Sequence, residues 1–318
     1  MINVLGWYGR NNCGDEAFKD AFEVLFRGEE LSFTVEKIEE EASRLILGGG
    51  DVVKPYYLDV IPNDKPIELI GVGLGYESEI ELLASKKVTR AFFRNKEDVK
   101  LAQEKGINAV LCPDLAFLLP KPDGLTTPVP RSRPEKKKLA VLLSDNVNPT
   151  LEFKRESYYA EYFKSEMAES LDYLNEWYEI YFLPLSHELY SFDCKMHMDV
   201  ANRMRKPIQQ NIYTVPKTPR ETIEFIAQMD LVVTAKFHGI IFSVLAGVPY
   251  VSVGLTRKTE LFCYENELQD LSVPPFSFLK SRFLENVKVA EDPNTRDLIA
   301  SVRDEKKLQW CSLVNQYF

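Results

Sequence analysis

The sequence predicts an α/β fold of two Rossmann-like domains facing each other across a cleft. Short apolar strands alternate with helix-spaced segments in two successive rounds. Several of those strands run directly into glycine or a cation, as ligand loops at strand ends do. One proline-rich, basic stretch, residues 121–138, separates the two rounds. The expected layout is therefore residues 1–120, a linker over 121–138, a second domain over 139–293, and a terminal helix over 294–318 that packs back on the first domain.

The first round opens with a strand over residues 2–8 that enters Gly9-Arg10-Asn11-Asn12-Cys13-Gly14-Asp15-Glu16. Ala17, Ala21, Phe22, Leu25 and Phe26 then share one helical face. Strand, glycine turn and helix can cradle a phosphate, which makes Gly9, Asn12, Gly14 and Asp15 candidates. The glycines could equally serve the turn alone, and neither common nucleotide fingerprint is present.

A second strand is expected at Leu31–Ile38. A third begins at Arg44 and ends in Gly48-Gly49-Gly50-Asp51, a loop without side chains that a ligand could approach closely. Ile67–Val72 ends likewise, in Gly73-Leu74-Gly75. A helix over Glu79–Lys87 precedes a strand over Val88–Phe93, which delivers Arg94. Its guanidinium is a candidate clamp for a carboxylate or phosphate, the plainer alternative being a bridge to Asp98 one helical turn away. A helix over Lys96–Lys105 closes at Gly106, and Ala109–Leu111 is a last short strand.

The linker holds four prolines, with Pro120 just before it, and the basic run RSRPEKKK, with almost nothing apolar to bury. The second round has strands expected at Leu139–Leu143, Tyr178–Leu183 and Ile212–Val215. Helices are expected at Arg155–Trp177, Cys194–Met204 and Arg220–Gln228. Ser186-His187-Glu188 stands at a strand end and could hold a sugar hydroxyl, or be a plain surface loop.

Residues 230–258, DLVVTAKFHGIIFSVLAGVPYVSVGLTRK, organise the whole. Leu231–Thr234 reads as a buried strand, Ile240, Ile241, Val244 and Leu245 recur at helical spacing, and Gly247 with Pro249 ends that helix. Tyr250–Val253 is a second strand, and Arg257 and Lys258 form a second cationic turn. Lys236, His238 and Lys258 thus fall at strand ends, with His238 and Gly239 in the first turn of a helix whose free N–H groups favour an anion. The alternative is a core histidine with solvated lysines.

Composition narrows the function classes. The chain has 318 residues and a net charge of −9, which disfavours non-specific nucleic-acid binding. Its five cysteines are scattered, and its three histidines are too few and too far apart for a histidine-rich metal site. We read no metal site, no signal peptide and no membrane segment, and expect a cytoplasmic location.

Taken in order and at their separations, GWYGRNNCGDEAF, LILGGGD, GVGLG, AFFRN, PDLAF and AKFHGIIFSVLAGVPYVSVGLTRK resemble the polysaccharide pyruvyl transferase family over most of the chain. The resemblance implies a GT-B-like fold and transfer of pyruvate from phosphoenolpyruvate, as a ketal, to a saccharide. It implies no cofactor. It places Arg94 on an arginine that grips the donor, His238 on the catalytic histidine and Lys258 on a basic residue after the last strand. Lys236, Gly239, Gly9, Asn12, Gly14, Asp15, Gly49 and Gly50 would line the donor, and His187, Glu188 and Asp51 the acceptor.

The family usually has arginine two residues before the histidine, where this chain has Lys236, a point charge without the bidentate fork. A second reading follows from that: a GT-B-like glycosyltransferase using a UDP- or GDP-sugar, acting on a glycan or on a hydroxylated base in DNA. A nucleic-acid partner arises only there. A third reading keeps the fold as a binding protein without chemistry.

Overall fold

A computed structural model gives the structure, described for residues 1–122, 128–130, 132–144, 153–188, 191–206, 211–254, 256–274 and 278–318. Linker residues 123–127 and 131 lie outside that description. Two compact units emerge: residues 1–10, 14–120 and 304–318 form the first, and residues 11–13 and 121–303 the second.

The first unit contains β1 (Ile2–Leu5), α1 (Cys13–Leu25, from Gly14 on), β2 (Leu31–Thr34), β3 (Arg44–Gly50), α2 (Pro55–Leu58), β4 (Pro66–Val72), β5 (Lys87–Phe93), α3 (Lys96–Glu104) and β6 (Ala109–Leu111). Its sheet runs β2-β1-β3-β4-β5-β6, with every neighbouring pair parallel. The strands are apolar because both faces are covered, as a parallel sheet requires. β1 is buried at all four positions. Leu5, Leu47, Leu69 and Phe93 from successive strands join one core with Val53, Tyr57 and Leu83.

Strand order reverses between β1 and β3, and ligands of such sheets bind outside the carboxyl ends at that reversal. Gly6-Trp7 and Asp51 stand there.

The glycine run expected to be an open loop is instead the end of β3. A Cβ on Gly48 would lie 2.4 Å from Phe22, and one on Gly49 would lie 2.3 Å from Phe18. Gly49 also has φ +73°. The glycines let α1 press its phenylalanines onto the sheet, a packing requirement that a sequence pattern cannot distinguish from a ligand loop.

Residues 77–83 form a short 3-10 helix where a longer helix was expected. Gly106 (φ +75°) ends α3 as anticipated.

The second unit contains β7 (Lys137–Leu142), α4 (Phe153–Leu174), β8 (Tyr178–Phe182), β9 (His187–Glu188), β10 (Ser191–Phe192), α5 (Asp193–Ala201), α6 (Pro219–Ile226), β11 (Leu231–Thr234), α7 (Phe237–Ala246), β12 (Tyr250–Ser252), α8 (Arg257–Glu265) and α9 (Lys280–Glu291). The last helix, α10 (Pro293–Tyr317), begins in this unit, and its residues from Asp304 on belong to the first. The parallel sheet runs β12-β11-β7-β8 and reverses between β7 and β11.

Three expectations need correction. Ile212–Val215 is no strand, for only Ile212 bridges to Phe182. Arg257 and Lys258 open helix α8, with Thr256 capping it from its side chain, rather than forming a turn. Nor is the linker's second half free of burial. Val129 is buried, Gln228 accepts from its N–H (2.7 Å), and Tyr181 donates to the Pro130 carbonyl (2.6 Å). Glu179 accepts from Ser132 N–H (3.0 Å) and Arg133 N–H (3.3 Å).

No helix among the described residues is long and apolar enough to cross a membrane.

Candidate functional site

The residues singled out above fall into two sets of strand ends, one in each unit. In the second unit the β11–α7 turn is the centre. Lys236 is the N-cap of α7, Phe237 and His238 are its first helical residues, and Gly247 ends it in the left-handed conformation (φ 71°). This is the helix boundary expected from spacing. Gly239 has a packing reason: a Cβ there would lie 2.1 Å from the Thr234 hydroxyl, so only glycine lets α7 start this close to β11.

His238 is half-buried as a residue, with its Nε2 shielded from solvent. Its ring lies 5.6 Å from that of Phe237 and 5.8 Å from that of Phe242. Lys258, in the first turn of α8, holds its ammonium 5.7 Å from the Phe237 ring centroid. Phe237 is thus a common support for His238 and Lys258. Lys236 and His238 stand at the N-terminus of α7 and Lys258 reaches across the Phe237 ring from the start of α8, positive groups suited to an anion.

Lys236 reaches Asp193, at 3.0 Å, and Asp193 is nearly inaccessible. The same carboxylate accepts from Leu185 N–H (3.0 Å) and Ser186 N–H (2.8 Å). Burial raises the Asp193 carboxyl against the opposing pull of Lys236 and those N–H groups. This partner of Lys236 was not foreseen; it lies 43 residues earlier in the chain, inside a segment without a motif.

His197, one helical turn beyond Asp193 on α5, is fully buried. Its Nε2 accepts from Leu143 N–H (2.9 Å), at the end of β7 beside the strand reversal. Burial and then the Lys236 charge lower its pKa to about 3, so it stays neutral behind the site. A histidine neutral when folded and ordinary when unfolded lets the unfolded state bind the extra proton. Stability contributed by its neutrality is present above about pH 6.5 and is lost as pH falls toward 3. Between pH 7 and pH 5 this should cost about 2 kcal/mol. Denaturant melts of His197→Gln, which cannot titrate, should show a smaller loss over that interval.

His187 and Glu188 stand on β9, paired with β10. His187 is exposed, with its ring 4.5 Å from that of Phe192, and Glu188 accepts from the Ser186 hydroxyl (2.9 Å). Asn12 belongs to this unit too: it bridges to Ser186, and His187 N–H donates to Asn11 O (3.1 Å).

In the first unit, Arg94 joins the ends of three strands. Its guanidinium, 5 % exposed, donates to Asp51 (2.7 Å) after β3 and to Asp114 (2.8 Å) after β6. Asp98, the partner considered from sequence, instead accepts from Leu74 N–H (2.9 Å) and Asn95 (2.7 Å). Burial disfavours the Arg94 charge, but Asp114 and then Asp51 outweigh it and hold the group protonated. A Cβ on Gly73 would lie 2.8 Å from this guanidinium, so that glycine serves the ion pair. Beside Arg94, burial first and Asp114 second push the Cys112 thiol well above its usual range.

The Gly9 turn carries negative charge of its own. Glu16 accepts from Gly9 N–H (2.6 Å), Gly14 is the second residue of α1, and the Asp15 carboxylate lies 3.5 Å from where a Gly50 Cβ would be. Gly9 and Gly50 thus lie beside the carboxylates of Glu16 and Asp15, Gly49 against Phe18, and the cations of these strand ends, Arg10, Lys54 and Arg94, are paired with Glu36, Glu79 and Asp51. Aromatic rings also line these strand ends. Trp7 packs against the core cluster with Arg10 5.2 Å over its ring, and Tyr56 sets an edge to it at 6.1 Å. Among the described residues no group of three or more His, Cys, Asp or Glu is arranged to hold a metal.

The fold is similar to that of the S. aureus MnaA–UDP co-structure, with TM-score 0.63, 10% identity and 94% of this chain covering 90% of that one. It is also similar to UDP-GlcNAc 2-epimerase from Neisseria meningitidis bound to UDP-GlcNAc, with TM-score 0.60, 10% identity and 94% of this chain covering 93% of that one. At such identities the likeness is one of fold, a two-domain Rossmann-like GT-B type. A search of curated proteins finds no match. The sequence model for polysaccharide pyruvyl transferases matches residues 8–256, most of the chain and both strand-end sets from Gly9 to Lys236, His238 and Gly239. The chain belongs to the polysaccharide pyruvyl transferase family, and with it to the transferases.

Proposed function

We propose that the protein transfers a pyruvyl group from phosphoenolpyruvate to a saccharide, with the donor held at the β11–α7 turn of the second unit. The observation that carries this reading is the set of Lys236, His238 and Lys258 around Phe237. Phosphoenolpyruvate bears a phosphate and a carboxylate on neighbouring atoms, and two ammonium groups with a helix N-terminus match that charge. His238 supplies the imidazole of the turn, the side-chain type suited to proton transfer near neutrality.

In this reaction His238 protonates the enol carbon, leaving a cationic centre at the carbon that bears the phosphate ester. One saccharide hydroxyl attacks that centre, the C–O bond to phosphate breaks, and a second hydroxyl closes the ketal. One hydroxyl proton restores His238 and the other leaves on the phosphate. Lys236 and Lys258 stabilise the departing charge. Asp193 holds the Lys236 ammonium in place and so supplies some of the fixed geometry that a guanidinium fork would bring. No cofactor enters these steps.

One observation favours a second reading, a glycosyltransferase taking a nucleotide-sugar: the fold resembles proteins crystallised with UDP and UDP-GlcNAc. Thermal-shift and calorimetric titration separate the two. Phosphoenolpyruvate should raise the melting temperature, by an amount that follows the logarithm of its concentration over its Kd. Stabilisation by UDP or GDP with none by phosphoenolpyruvate would replace the first reading by the second.

A further inference from the structure

We infer that Asp193 and His197, one turn apart on α5, are positioning residues for the donor turn, a role that rests on the proposed function and deepens it. Together they fix the strand ends from which Lys236 and the Leu143 amide are presented. Both side chains are out of reach of solvent. The ladder between β7 and β11 closes where Ala235 N–H donates to Leu142 O (2.9 Å). Past that point the polar groups of three neighbouring strands turn to α5. Asp193 accepts from Leu185 N–H and Ser186 N–H, after β8, through one carboxylate oxygen, and meets the Lys236 ammonium, after β11, through the other. Its own N–H donates to Ser186 O (3.3 Å). His197 takes the Leu143 amide, after β7. Positions four apart share a helix face, so one face of α5 gathers the ends of β11, β7 and β8 around the strand reversal.

Packing alone would select neither residue. His197 accepts with Nε2, so its proton sits on Nδ1, and that N–H meets no partner among the described residues. A buried donor left unpaired costs stability that an apolar side chain would not lose. The imidazole supplies an acceptor without a charge. A carboxylate at 197 would add a second counter-ion close to Lys236, and a lysine or arginine would have nothing to accept with. Asp193 is likewise a buried anion, of the kind that apolar residues can replace without loss of stability. Its pairing instead confines a flexible four-carbon side chain, which is only 15% exposed, to one position.

The test is a double-mutant cycle on the full chain, read by calorimetry as the Kd of phosphoenolpyruvate and of UDP, with urea midpoints of the same samples to show that each variant is folded. Lys236→Met should weaken phosphoenolpyruvate binding about tenfold in the wild-type background. In the Asp193→Asn background the same substitution should cost less than about twofold, because an ammonium no longer held in place contributes little. Asparagine keeps an oxygen for the two amides, so a purely architectural Asp193 would leave the Lys236→Met penalty intact. The second arm stands by itself if Asp193→Asn does not fold. His197→Leu removes the acceptor for Leu143 N–H and should weaken binding about fivefold, and His197→Gln, whose amide oxygen can accept that N–H, should recover most of the loss. An undiminished Lys236→Met penalty, or equal affinities for His197→Leu and His197→Gln, overturns the assignment while leaving the proposed reaction in place. Binding of UDP alone, with the cycle intact, keeps the role of α5 and transfers it to the nucleotide-sugar reading. A wild-type protein that binds neither brings down both the reaction and this role.

Discussion

Arg94→Ala should cost about 3–5 kcal/mol of stability, the usual consequence of removing one partner of a buried ion pair. The loss is asymmetric. Asp51 retains some access to water, but Asp114 is 2% exposed and would be left charged and uncompensated in the interior. Its carboxylate also caps the turn that follows, accepting from Ala116 N–H (2.9 Å), and its carbonyl accepts from the Trp310 indole (3.0 Å), so the damage would spread to α10. Arg94→Ala/Asp114→Asn should recover part of the stability, because the stranded charge is then gone. Urea melts of the single and double variants measure this directly. An Arg94→Ala protein as stable as wild type, with a weakened response to phosphoenolpyruvate, would instead make Arg94 a direct donor ligand.

His238→Gln should lower turnover, read as phosphate released from phosphoenolpyruvate, by about 10²- to 10⁴-fold, the range for removing a positioned general acid. Stability should change by no more than about 1 kcal/mol, since the imidazole is half-buried and glutamine replaces it with a polar side chain of similar bulk. The contrast with Arg94 is one of burial. Donor-induced stabilisation should survive in His238→Gln, because the lysines and the helix end remain. A variant that unfolds would return His238 to the core, and one with full activity would remove it from the mechanism.

The β11–α7–β12 stretch was legible because its information is local. Spacing of Ile240, Ile241, Val244 and Leu245 marks the helix, Gly247 marks its end, and the strands on either side are uninterrupted apolar runs. What escaped was set by topology. Arg94 finds its partners 43 and 20 residues away because the sheet sets β5 next to β6 and one strand from β3, not because of anything in the helix that follows it. The pairing of Lys236 with Asp193 is hidden for the same reason. Helix α8 was missed because RKTELFCYE buries only Thr259 and Cys263 and shows no clean apolar stripe, whereas α9 does carry one, in Phe283, Val287 and Ala290. The glycines of β3 misled in another way: a residue without a side chain looks the same whether a ligand or a phenylalanine occupies the space it leaves.

The anchoring of residues 128–130, 132 and 133 to the second unit has a consequence for how this polypeptide can be divided. Glu179 is 3% exposed, and the groups that satisfy it there include the amides of Ser132 and Arg133. A fragment started at β7 would strip those donors away and strand an anion in the sheet, although it would retain every strand and helix of the second unit from β7 on. The severable point lies upstream of Pro128, so the strap behaves as an outlying piece of the second unit's interior rather than as a tether.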